Sequence, residues 1–147
     1  MFTKVTADDV AWALLKDDPV RPAVSKVGPN KHVYALYNST GETVNAIMCI
    51  SLNTDVCVTE EDLDIYSEEA VNNTVCTFYT IWSYVPGAGV DLALCALAQL
   101  PKIFPHIKRI VTLSPRTELA RKFHLRNGAK ELQTNEHTVN FEYSLVR

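Results

Sequence analysis

The sequence predicts an α/β domain of the α+β kind, with a mixed central sheet flanked by helices. Three observations predict it. A hairpin pattern occupies residues 32–52, strands and helices alternate after residue 74, and a glycine turn joins the strongest strand to an apolar helix. Strand–helix–strand alternation implies a parallel strand pair joined by a crossover.

The elements follow in order. Residues 2–6 suit a short strand. Thr6 then reads as a helix N-cap, with Asp8 and Asp9 in the first turn and Val10, Ala11, Leu14 and Leu15 on one face. Pro19, Pro22, Gly28, Pro29 and Asn30 make residues 19–31 a loop. Residues 32–38 and 44–52 flank the turn Ser39-Thr40-Gly41-Glu42 as a hairpin. Residues 59–71 read as a solvated acidic connector, although Thr59 with Asp62 could open a short helix. Residues 74–85, rich in β-branched and aromatic side chains, form the best strand of the chain. Residues 90–100 are apolar nearly all round, which predicts a helix buried on more than one side and closed by Pro101 and Pro105. Residues 108–113 give another strand, 117–127 a helix stopped by Gly128, and 137–145 the last strand.

The chain has 147 residues, the size of one domain spanning 1–147. At 47% hydrophobic and 21% charged residues it can bury a core without disulfides or metals. A net charge of −3 and a pI near 5.8 give no electrostatic case for a nucleic-acid or membrane partner. The sequence still allows a local basic patch, such as Arg116, Arg121, Lys122 and Arg126. No apolar run reaches membrane-spanning length and the N-terminus lacks a secretory core, so a cytoplasmic location is expected. On that expectation the sequons Asn38-Ser39-Thr40 and Asn72-Asn73-Thr74 are discounted. Cys49, Cys57, Cys76 and Cys95 have neither CxxC nor metal spacing and read as reduced thiols. No metal is expected, His32, His106 and His137 read as structural, and the oligomeric state is left open.

Gly87 and Gly89 lie where a backbone can approach a phosphate, at the N–H-rich start of a helix. By itself this turn also reads as a plain connector. Its context resembles the GNAT acyltransferase pattern: strand, Tyr84-Val85-Pro86-Gly87-Ala88-Gly89, helix, strand, then Ala120, Phe123-His124 and Gly128-Ala129. The resemblance implies a coenzyme A pyrophosphate site at Tyr84, Val85, Gly87, Ala88, Gly89 and Val90, with Tyr84 standing where that family has Gln or Arg.

A narrower resemblance covers residues 17–147. The segments FYTIWSYVPGAGVDL, FPHIKRIVTLSP, ARKFHLRNGA and VNFEYSL are similar to the catalytic domain of malonyl-CoA decarboxylase. The helical N-terminal domain of that family and its insertion after the LSP motif have no counterpart in these residues. The resemblance implies a catalytic pair of Ser114 and His124, a carboxylate at Asp91 that orients the pair, and an active-site phenol at Tyr143.

Decarboxylating a malonyl thioester expels CO2 and leaves a thioester enolate that must be stabilised and protonated on carbon. Ser114 can bond the carboxylate, and His124, ordinarily near pKa 6.5, can donate the proton. Each residue also has a plain reading. Ser114 before Pro115 suits a helix start, Asp91 suits a helix dipole, His124 a satisfied histidine and Tyr143 a core position. Ser114 and His124 lie ten residues apart, about 15 Å along a continuous helix. They can meet only if 114–116 are non-helical. Three functions therefore stay open: a malonyl-type acyl-CoA decarboxylase (a lyase), a GNAT N-acyltransferase moving an acetyl group to an amine, and a non-catalytic binding module.

Overall fold

The computed structural model describes residues 1–67 and 72–145. The strands are β1 (Phe2–Lys4), β2 (Lys31–Tyr37), β3 (Val44–Asn53), β4 (Val75–Ser83), β5 (Arg109–Thr112), β6 (Ser114–Pro115), β7 (Lys130–Thr134) and β8 (Thr138–Tyr143). The helices are α1 (Asp62–Ile65), α2 (Ala88–Ile103) and α3 (Glu118–Arg126), and Val10–Asp17 winds as a 3-10 helix. The sheet runs β1-β2-β3-β4-β5-β8-β6, with β7 also on β8. All pairings are antiparallel except β4 with β5, which α2 joins as the expected crossover.

Alternation along β3 sorts the core into two layers. Ala46, Met48, Ile50 and Leu52 face α2, meeting Leu92, Ala96 and Leu100. Ile47 and Cys49 face the other way, toward Ala11, Leu63, Tyr79 and Trp82. Cys49, Cys57 and Cys76 are buried free thiols, and Cys95 is half-buried. Burial pushes the Cys49 and Cys57 thiols up to about 12, which leaves them protonated and unreactive.

The sequence reading departs from the structure at four places. The first helix is a 3-10 helix, and Thr6 does not cap it: the Asp9 carboxylate instead accepts the Thr6 N–H at 2.6 Å. The acidic connector contains a helical turn whose Leu63 is fully buried. Asp62 accepts N–H bonds from Val58 and Thr59, while Thr59 Oγ1 accepts from Asp62 N–H. Helix α2 starts at Ala88 and contains Pro101 in its last turn. Buried Leu100 and Pro101 hold that turn, and Phe104 N–H still closes on Leu100 at 2.8 Å. Finally, β7 escapes the sequence pattern because all five of its side chains are exposed, so no apolar alternation marks it.

Candidate functional site

The site begins with a missing partner. Strand β4 pairs with β5 from Val75 to Phe78 and no further. The Leu113 N–H makes the last cross-link, to the Phe78 carbonyl at 2.9 Å. Beyond that point β4 continues to Ser83 beside β3 alone. The β3–β4 register shifts at Tyr79, a residue inserted between the pairs Ile50–Phe78 and Cys49–Thr80. A bulge bends its strand, and this one sits where β4 and β5 part.

The gap is a cavity of about 330 Å³, within the range of small-molecule sites. Thr80, Ile81, Trp82 and Ser83 line one side. Leu113, Ser114 and Pro115 face them, together with Thr117, Ala120, Phe123 and His124 of the α3 segment. Gly89, beside Ser83 and Phe123, and the loop residues Pro19 and Val20 complete the lining.

The glycine turn leads into that cavity. Gly87 adopts φ 83° at the N-cap of α2, a conformation that favours glycine. The Ala88 N–H is taken by the Val85 carbonyl, and the Asp91 N–H by that of Gly87. Among the described residues the N–H groups of Gly87, Gly89 and Val90 donate to no carbonyl, leaving three donors at a helix N-terminus. A Cβ on Gly89 would lie 3.5 Å from Phe123 Cε1, in ordinary contact, so α2 meets α3 at this glycine. Tyr84 turns away from the donors. Its hydroxyl accepts from Trp82 Nε1 at 3.1 Å and donates to Asp17 at 2.9 Å, so its side chain is engaged outside the turn.

Ser114 and Pro115 form the short strand β6 against Val139 and Thr138. The helix start foreseen at Ser114 is thereby replaced: Thr117 caps α3, its Oγ1 accepting the Ala120 N–H at 3.2 Å. Residues 114–116 are non-helical, and both Ser114 and His124 line the cavity. They are not hydrogen-bonded to each other. The buried Ser114 hydroxyl lies 2.7 Å from Thr112 Oγ1, which also accepts the Phe141 N–H at 3.0 Å. At the far end of α3, Gly128 at φ 99° permits a reverse-turn stop. Its N–H bonds Leu125, and Ala129 N–H bonds His124.

His124 Nδ1 stands 2.7 Å from Tyr143 Oη, and the ring stacks on Phe141 at 5.4 Å between centroids. Burial pushes the imidazole down to about 4 and drives the Tyr143 phenol upward. The neutral imidazole thus corrects the expectation of a histidine titrating near neutrality. Asp91 is corrected too. It is exposed on the first turn of α2 and outside the cavity lining. The group hydrogen-bonded to His124 is Tyr143, while Asp91 lies in the first turn of α2, beside the helix dipole.

Sequence reasoning missed the strap across the open end. Asp18 Oδ1 accepts the N–H groups of Val20 and Arg21 and the Thr80 hydroxyl, at 2.8, 2.9 and 2.8 Å. Its Oδ2 lies 2.8 Å from Lys26 Nζ, and both side chains are buried. Burial alone would raise the Asp18 carboxyl, but Lys26 and the three donors outweigh it and hold the carboxyl below its ordinary value. Lys26 also donates to the carbonyls of Arg21 and Val24. Arg21 Nη2 reaches the Leu113 carbonyl at 3.2 Å. One loop therefore holds β4 through Thr80 and the segment after β5 through Leu113. Thr80 is 62 residues from Asp18, and no local spacing announces such a contact.

Among the described residues, no group of His, Cys, Asp and Glu could hold a metal ion, and no helix is long and apolar enough to cross a membrane. No family profile matches the chain, and no curated protein matches its sequence. Solved structures do match its fold. A malonyl-CoA decarboxylase from Rhodopseudomonas palustris superposes with a TM-score of 0.68 at 14% identity, over 99% of this chain and 60% of that one. This chain therefore spans about three fifths of that decarboxylase. An acetyltransferase from Bacillus subtilis, solved in complex with CoA, gives 0.66 at 10% identity over 99% and 98% of the two chains. Tetrahymena GCN5 gives 0.63 at 11% identity over 99% and 96%. With its parallel β4–β5 pair splayed around the cavity and a glycine turn at the head of α2, the chain has the GNAT acyltransferase fold.

Proposed function

We propose that this protein binds an acyl-coenzyme A and acts on its thioester, removing CO2 from a malonyl-type acyl group. The observation that carries the reading is the cavity between β4 and β5. Gly89, one of three free backbone N–H donors at the head of α2, stands in its wall together with Ser114 and His124. The donors of Gly87, Gly89 and Val90 suit a pyrophosphate, which gains from both the N–H groups and the helix dipole. The thioester then runs along the exposed edge of β4 toward Ser114 and His124.

Decarboxylation breaks the bond from the α-carbon to the carboxylate. Its electron pair moves into the thioester, forming an enolate, and CO2 leaves. The apolar wall of the cavity excludes water from the forming enolate, and the Ser114 hydroxyl donates to the charge developing on its oxygen. The enolate carbon needs one proton. A neutral imidazole can serve as an electrophile and donor where an imidazolium is not populated. With Tyr143 donating to Nδ1, the Nε2–H faces the cavity. Its transfer to carbon is balanced by transfer of the phenol proton to Nδ1, and solvent restores the phenol. Coenzyme A is the only cofactor in this scheme, and it enters as part of the substrate.

A second reading, transfer of an acyl group to an amine, draws on the near-full-length match to a CoA-bound acetyltransferase. There the His124–Tyr143 pair would protonate the departing thiolate. The deciding experiment incubates the protein with malonyl-, acetyl- and propionyl-CoA without an acceptor, following CO2 and free thiol. CO2 release from malonyl-CoA with acetyl-CoA as product supports decarboxylation. Thiol release dependent on an added amine supports transfer instead.

A further inference from the structure

The strap contains a cation that no carboxylate of the described residues meets at hydrogen-bond distance. Arg21 has a side chain only 11% exposed, and its nearest carboxylate, Glu60, is 3.8 Å away and 40% exposed. That distance exceeds a hydrogen bond. One donor, Nη2, reaches the Leu113 carbonyl, while Nε is buried and makes no hydrogen bond. Asp18 cannot supply the missing charge, because Oδ1 accepts three bonds and Oδ2 is paired with Lys26. The buried set of Asp18, Lys26 and Arg21 therefore carries one excess positive charge, met among the described residues only by the partly exposed Glu60 across 3.8 Å. A buried guanidinium with so few partners is costly unless an anion completes it. Burial accordingly lowers its proton affinity, against the raising influence of Glu60 and Asp18.

The position of this charge gives it a use. Leu113, whose carbonyl receives Nη2, lines the cavity and immediately precedes Ser114. Val20, the residue before Arg21, lines it too. The strap meets β4 at Thr80, ahead of Ser83, where Gly89 approaches the strand, so a ligand running along β4 from the glycine turn would bring the group beyond its thioester to this region. We infer that Arg21 selects a ligand bearing a carboxylate in this region of the cleft, its guanidinium passing from the Leu113 carbonyl to the anion. A planar fork of donors matches a carboxylate in two-point contact. The anion can belong to the acyl chain or to an acceptor molecule, and the chemistry at Arg21 is the same. The inference rests on the reading of the cleft as an acyl thioester site, and it adds the residue that makes the site prefer a charged ligand.

Calorimetry on the full chain tests it, with malonyl-CoA and acetyl-CoA as probes, and with glycine and methylamine added to the acetyl-CoA complex. The wild type should bind the carboxylate-bearing member of one pair at least about tenfold more tightly, as expected for a charge-assisted bond. Arg21→Gln, which can still donate to Leu113, should lower that preference to within about twofold and leave acetyl-CoA affinity unchanged. Glu60→Gln removes the competing carboxylate from a partly exposed site and should tighten binding of the anionic probe severalfold. A preference within the acyl pair assigns the carboxylate to the thioester, and one within the amine pair assigns it to the acceptor. Intact binding of acetyl-CoA with no preference in either pair overturns the role of Arg21 alone. So does a preference that survives Arg21→Gln. If Arg21→Gln fails to fold, an anion affinity unmoved by Glu60→Gln overturns it. Failure of the wild type to bind any coenzyme A thioester removes the reading of the cleft, and this inference with it.

Discussion

His124 Nδ1 and Tyr143 Oη lie 2.7 Å apart, joining helix α3 to the last strand through two groups that burial keeps neutral. The imidazole is pushed down to about 4, so the pair carries one shared hydrogen bond and no charge at physiological pH. The pair therefore offers the cleft a neutral N–H and O–H rather than an imidazolium.

The first prediction follows from that shift. The unfolded histidine titrates near 6.5 and the folded one near 4. Between those values the unfolded chain binds more protons, so stability rises with pH and levels off above about 6.5. On acidification from pH 6.5 to 4 the wild type should lose a few kcal/mol that His124→Gln does not lose. Urea titrations at several pH values measure the difference. Parallel losses in both proteins would remove the buried neutral imidazole from the account.

Tyr143→Phe tests the pair from the other side. It deletes only the hydroxyl, leaving His124 Nδ1 buried without its partner, at about 1–3 kcal/mol. Turnover should fall by about 10²-fold or more if the phenol feeds the transferred proton. Coenzyme A affinity should hold, because the N–H donors belong to the head of α2 and not to α3 or β8. Full turnover by a folded Tyr143→Phe protein would show that His124 works without it.

These residues show where the sequence was legible. The glycine turn, the strong strand before it and the Gly128 stop each depend on local chemistry, and each lies where the pattern sets it. The His124–Tyr143 bond was not legible, because it depends on how α3 and β8 meet across the core. Asp91 was assigned the orienting role on resemblance, but the first turn of α2 carries it to the surface. The strap was invisible for a related reason. Residues 19–31 read only as a loop broken by Pro, Gly and Asn, and it is the tertiary contact of Asp18 with Thr80 that places Arg21 and Lys26 in a buried network. Strand β7 shows the converse: pairing with β8 orders a segment that has no buried face.

Gly89 gives the next prediction. Gly89→Ala places a Cβ in ordinary contact with Phe123, at 3.5 Å, and should be tolerated. Gly89→Val drives a branched side chain toward Phe123 and Ser83, both of which line the cavity. It should weaken coenzyme A binding by about tenfold or more, because overpacking shifts α2 against α3. Calorimetry on the two variants reads this directly, and equal affinities would place the pyrophosphate away from the turn.

The strap should matter for stability as well as for shape. Lys26→Met leaves the Asp18 carboxylate buried without its cation, and Asp18→Ala leaves Lys26 without its anion. Either change should cost about 3–5 kcal/mol, the usual result of breaking one side of a buried pair. The double variant should cost less than the sum of the two. Chemical denaturation of the four proteins completes the cycle, and strict additivity would mean that the two charges do not sense each other.

Ser114→Ala is the last prediction, and it separates structure from chemistry at the strand end. The hydroxyl lies 2.7 Å from Thr112 Oγ1, but Thr112 also accepts the Phe141 N–H, so it keeps a partner when Ser114 is removed. The backbone of Ser114 pairs with Val139 in either case. The stability loss should therefore be modest, about 1 kcal/mol, as for a single neutral hydrogen bond. Turnover tells a different story. If the hydroxyl stabilises the enolate oxygen, its loss should lower the rate of CO2 release by about 10²–10³-fold. The affinity for coenzyme A itself should stay within about twofold, since the nucleotide end is bound elsewhere. An amine acetyltransferase, by contrast, would draw its proton donor from His124 and Tyr143 and feel the substitution little. A folded Ser114→Ala protein with unchanged CO2 release would take Ser114 out of the mechanism and leave it as a partner of Thr112 alone.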